Sequence, residues 1–123
     1  MHLKYLVAAA VLLPTMASAQ SMNAEVFYQK AAGLERKGMM AIFSKDVKVM
    51  LNVGKAAGET ARSQRLAALQ AKLKPRYCPP PGSQRIGSDE FMQRLAALPR
   101  AERLRIDMTE AMIRIMVAKF PCR

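Results

Sequence analysis

Two cysteines framed by prolines constrain this chain more than any other feature. Cys78 lies in Tyr77-Cys78-Pro79-Pro80-Pro81 and Cys122 in Phe120-Pro121-Cys122. In an oxidising compartment a lone pair of thiols is bridged in preference to remaining free. A bridge spanning 44 residues stabilises a fold by about 4 kcal/mol on the chain-entropy model. The alternative, a redox-active cysteine, lacks the C-x-x-C spacing, and prolines on both sides frame rigid backbone instead.

The opening residues direct the chain to such a compartment. His2 and Lys4 give a basic start, residues 6–13 are an apolar run closed by Pro14, and Ala17-Ser18-Ala19 is a small-residue cleavage site. The run is shorter than the roughly 20 residues that span a bilayer, so residues 1–19 read as a signal peptide cut after Ala19. The alternative is a retained anchor. The 123-residue chain then leaves one domain, 20–123, small enough that a covalent staple matters.

The remainder reads as helices. Asn23 caps a helix over 24–37 whose apolar positions are Val26, Phe27, Ala31 and Leu34, with Tyr28, Lys30 and Glu35 outward and Gly38 as the stop. Residues 39–43 form an apolar connector, and Ser44 caps a second helix expected over 45–74 and ended by Pro75. Its small residues, Gly54, Ala57, Gly58 and Ala61, admit a close backbone. After Arg62 its apolar positions, Leu66, Leu69 and Leu73, rotate to the opposite side. The helix therefore either bends near Ser63 or meets different neighbours with its two halves, as an element shared with a second subunit would.

Four prolines and two glycines mark 75–88 as a loop. Ser88 is the expected cap of a short helix over 89–98, which Pro99 ends. A last helix is expected over 101–120, apolar on most sides, with a stripe of Arg103, Asp107, Glu110 and Arg114 that allows two i,i+4 ion pairs. A helix of this kind belongs at the centre of a bundle or across a dimer interface. Its methionines read as adaptable packing in preference to copper ligands, because no histidine joins them. The fold class is all-α, a small bundle of four to five helices with one intramolecular disulfide.

The chemistry available to such a chain is narrow. The only histidine is His2, inside the expected leader, which removes imidazole from any triad, neutral-pH base or zinc site in 20–123. Asp89 and Glu90 sit at a helix start and complement its dipole, while Asp107 and Glu110 have arginines nearby. Gly54 and Gly58 lack the Lys-Ser/Thr of a phosphate loop. No catalytic residue, cofactor or metal is expected, and the chain reads as a binding or structural protein.

Twenty basic residues against nine acidic give a net charge of +11, which draws anionic partners. Few aromatics interleave with the cations, so nucleic acid is not expected. Lipid headgroups, cell-wall polymers or an acidic protein fit better, and a solvated surface accounts for many of the individual charges.

The run Phe27 to Ala31, the segment Leu34 to Gly38, Tyr77-Cys78-Pro79-Pro80, the Arg103 segment after Pro99 and the closing Phe120-Pro121-Cys122 together resemble the Rap/Tai family of type VI secretion immunity proteins. The resemblance runs through nearly all of 20–123, with the two cysteine segments its most specific parts. It implies a small, periplasmic, all-helical and often dimeric toxin inhibitor that occludes the active-site cleft of a peptidoglycan amidase, with Cys78 paired to Cys122. The expected partner is then that cognate amidase, with a homodimer as a further assembly and any membrane contact weak and electrostatic. Candidate contact residues are Tyr77, Pro79, Pro80, Pro81 and Arg85, because a proline-rich, disulfide-anchored loop loses little entropy on docking. The same loop equally reads as a connector that only positions Cys78. The alternative function is a cationic envelope protein, structural or stress-related, held to anionic wall or membrane.

Overall fold

Asn23 begins the fold twice over. Its side-chain oxygen accepts from the backbone N–H groups of Glu25 (2.9 Å) and Val26 (3.2 Å), satisfying two of the donors that every helix start leaves free. Its side-chain nitrogen donates to the carbonyls of Leu104 (3.0 Å) and Ile106 (3.3 Å) on a distant segment. The computed structural model describes residues 22–82 and 84–123. The expected leader and its cleavage site lie outside the described residues.

Among these residues the chain is all-α, with five helices: α1 (Ala24–Lys37), α2 (Lys45–Gln70), α3 (Ser88–Ala97), α4 (Arg100–Arg103) and α5 (Met108–Lys119). A 3₁₀ turn, Gly38–Phe43, joins α1 to α2. Gly38, at φ 57°, stops α1 as expected. The faces of α1 differ from the periodicity reading. Val26 is 46% exposed while Glu25 is buried, because α4 supplies Glu25 with an arginine partner.

Ser44 caps α2 by accepting from the Asp46 N–H. The helix runs unbroken past Ser63, but it ends at Gln70, short of Pro75. Lys72 enters the left-handed region at φ 56°, and Leu73 N–H then reaches the Ala68 carbonyl (2.8 Å) while Lys72 N–H reaches that of Leu69 (3.1 Å). This is the paired closure of a Schellman stop, made without glycine. Met50, Ala57 and Ala61 face the core, whereas Leu66, Leu69 and Leu73 are 40, 47 and 65% exposed. The apolar face that rotates after Arg62 therefore points to solvent.

The expected last helix is two helices. Leu104 and Ile106 give their carbonyls to Asn23, Ile106 also accepts from Ala24 N–H (3.0 Å), and Met108 N–H donates to Met22 (2.7 Å). Those bonds divert the Leu104 and Ile106 carbonyls and the Met108 N–H out of a continuous helix, and α5 restarts with Asp107 as its cap, accepting from Glu110 N–H at 2.8 Å. Asp107 is thus a cap and not a member of a polar stripe, and of the two expected ion pairs only Glu110 with Arg114 forms (3.1 Å). Ser88 is the first residue of α3, and Gly87 holds the cap position without a side-chain bond.

α5 packs chiefly along α2, and one core runs through both. Leu95, Met108 and Ile115 are its largest fully buried side chains. Cys78 and Cys122 form a disulfide with Cα atoms 4.9 Å apart. Beside it, Cys78 N–H donates to the Phe120 carbonyl at 2.8 Å, so the end of α5 is tied to the loop that follows α2.

Candidate functional site

An apolar groove of about 530 Å³ opens between α1, α2 and α3. One wall is the α1 face of Phe27, Ala31 and Leu34, and the other is the α2 face of Met50, Gly54 and Gly58. Phe91 and Met92 of α3 and Met112 and Met116 of α5 complete it, with Glu35, Lys55 and Ser88 as its polar neighbours. Phe27 and Phe91 meet edge to face, with ring centres 5.9 Å apart, an arrangement that fixes both rings. Four methionines in one groove give a surface that re-packs around varied apolar shapes.

Two glycines border the open space of the groove. A Cβ at Gly54 or Gly58 would meet nothing within 4 Å. The small residues expected to admit a neighbouring backbone split between two roles: Ala57 and Ala61 are buried in the core, while Gly54 and Gly58 border empty space.

A buried ion pair holds the α1 wall in place. Arg103 of α4 is 7% exposed and donates through Nε to Glu25 at 2.6 Å. Another of its nitrogens donates to the carbonyls of Leu95, Ala96 and Leu98, at the end of α3, where a helix leaves its last carbonyls without i+4 partners. The guanidinium also lies 4.3 Å from the centre of the Tyr28 ring. Tyr28 is therefore half-buried on the inner side of α1, contrary to its expected outward placement, and Arg103 is interior instead of on a surface stripe. Gln29 and then Arg103, by hydrogen bonds, hold the Glu25 carboxyl below its usual pKa.

Two further glutamates are held low in the same manner. Glu90 answers to Lys119 and then Arg94, and Glu110 to Arg76 and then Arg114. Glu110 receives Arg76 through two bonds of 2.7 and 2.8 Å, and this contact in turn raises the Arg76 pKa. A carboxyl tuned as a general acid has its pKa raised toward neutrality; these three have it lowered. No cluster of three or more His, Cys, Asp or Glu side chains that could hold a metal occurs among the described residues.

The residues expected to touch a partner are divided by the fold. Tyr77 is 5% exposed and belongs to the core, under Arg65, whose guanidinium carbon is 5.7 Å from its ring centre. Its place is the lining of a separate cavity of about 200 Å³ that also includes Lys74 and Arg76. Pro79 is half-buried, and Pro80, Pro81 and Arg85 are exposed. Sequence reasoning missed Ile86, which follows Arg85 and lines the groove, so the far end of the stapled loop reaches the groove wall. The signal available for the groove was the Gly54/Gly58 pair on a helix whose flanking positions are apolar.

No family model, no curated protein and no solved structure matches this chain.

Proposed function

We infer that the protein is a periplasmic immunity-type protein that binds a peptidoglycan amidase and occludes its active-site cleft. The observation that carries this reading is the apolar groove with Ile86, from the disulfide-anchored loop, in its wall. An inhibitor of this kind needs no reactive group of its own. It needs a preformed surface, so that little conformational entropy is lost when the partner docks. The bridge from Cys78 to Cys122, the Arg103 clamp on α1 and the edge-to-face aromatic pair supply that rigidity. The resemblance of the Tyr77-Cys78-Pro79-Pro80 and Phe120-Pro121-Cys122 segments to the Rap/Tai proteins supplies the partner class.

The test is a pull-down with the purified disulfide-bonded protein from cells that express a secreted amidase, washed at low and at high salt. Apolar docking keeps the amidase bound through the high-salt wash, whereas adsorption by net charge alone is lost as salt shortens the Debye length. Retention by the wild type and loss by Gly54→Leu, which places a side chain in the groove, is the expected result. Recovery of wall fragments or lipid alone, released by salt, would overturn the reading.

A further inference from the structure

The turn between α1 and α2 is built inside out. A 3₁₀ helix repeats every three residues, so positions three apart share an edge. In Gly38–Phe43 one edge carries Met39 and Ile42, and a second carries Met40 and Phe43. On the third edge Ala41 is buried against the protein at 9% exposure. The four large side chains are 66 to 80% exposed, a contiguous apolar tip formed from six residues. Single exposed apolar side chains are ordinary; a cluster of four on one turn marks a contact surface.

The charges around the tip name its partner. Arg36 and Lys37 precede it and Lys45 and Lys48 follow it, all exposed, against Glu35 and Asp46. We propose that the Gly38–Phe43 turn is a membrane-docking tip that inserts Met39, Met40, Ile42 and Phe43 into the interface of an anionic lipid bilayer, with Arg36, Lys37, Lys45 and Lys48 on the headgroups. Long cationic side chains beside an apolar insert are suited to this, because their heads stay with phosphate while their stems follow the hydrocarbon. A second copy of the chain fits less well. A two-fold contact through the same patch sets the four cations of one copy against the four of the other. No helix among the described residues is long and apolar enough to cross a membrane, so the contact is interfacial. The tip lies outside the groove lining and the inference stands apart from the amidase reading.

The chain contains no tryptophan, so Phe43→Trp installs a single fluorescent reporter at the tip. The experiment titrates this variant with phosphatidylglycerol vesicles and with phosphatidylcholine vesicles, and follows flotation of wild type and of a Met39→Ser/Phe43→Ser double variant. Expected are a blue shift with phosphatidylglycerol vesicles only, and flotation at least about tenfold weaker for the double variant, whose circular dichroism stays native because both side chains are exposed. An emission that stays at its water-exposed wavelength with both lipids would overturn the proposal. A blue shift that grows with protein concentration in the absence of lipid would overturn it too, in favour of a second copy. Flotation of the double variant equal to wild type would reduce the contact to net charge and would equally contradict insertion.

Discussion

The guanidinium of Arg103 has almost no water to donate to, and the fold answers with one carboxylate, three carbonyls and an aromatic face. Removing it strands Glu25, itself 4% exposed, as a buried charge with only Gln29 and the more distant Arg100 beside it (2.8 and 3.4 Å). We expect Arg103→Ala to lower the unfolding free energy by about 3 to 5 kcal/mol, the range for breaking one side of a buried pair. Arg103→Lys, which keeps the charge and loses the fork, should fall between it and wild type. Urea denaturation of the three proteins checks this; an unchanged midpoint for Arg103→Ala would mean that the clamp is not structural. The sequence could not place this residue. Its spacing to Asp107 is that of a helical ion pair, and the bonds made to 104–108 by Met22, Asn23 and Ala24, some eighty positions earlier, interrupt the helix that would form it.

The elements were legible wherever a signal acts on its immediate neighbours. Asn23 and Ser44 cap by accepting from residues two or three ahead, and Gly38 stops α1 through its own φ. These are local devices, and their residue types announce them. The end of α2 falls short of the sequence expectation because Lys72 takes a conformation that glycine usually supplies, while the sequence offers Pro75 as the visible stop. The faces of α1 and the groove were not legible, because which side of a helix is inward depends on partners from α3, α4 and α5. At this scale the stapled loop makes a separate prediction. The disulfide ties the loop after α2 to the segment that follows α5, so Cys78→Ser should cost about 2 to 5 kcal/mol in oxidised protein. The difference should vanish when both proteins are reduced. Equal melting temperatures for oxidised wild type and variant would remove the bridge from the account of rigidity.

Over the whole molecule, ion pairs add ties between elements that share one apolar core. Glu25 joins α1 to α4, Glu90 joins α3 to α5 through Lys119, and Glu110 joins α5 to the loop through Arg76. All three carboxyls have folded pKa values below the usual range. A depressed carboxyl contributes stability that is fully present above its unfolded pKa, about 4.3 for glutamate, and is lost as pH falls through the folded value. The melting temperature should therefore be level from about pH 5 to 8 and fall below about pH 4, with Glu25→Gln flattening that fall. A steady decline beginning near neutrality would contradict this assignment. The same rigid frame presents the groove, and the claim that the groove is the inhibitory surface is tested most directly by titrating a peptidoglycan amidase with wild type and with Gly54→Leu. Gly54→Leu has room at its Cβ and a helical position that favours leucine over glycine, so it should fold at least as stably as wild type. The account predicts stoichiometric inhibition by wild type and its loss, by about a hundredfold or more, when a leucine projects into the docking surface; full inhibition by a correctly folded Gly54→Leu would place the inhibitory surface elsewhere.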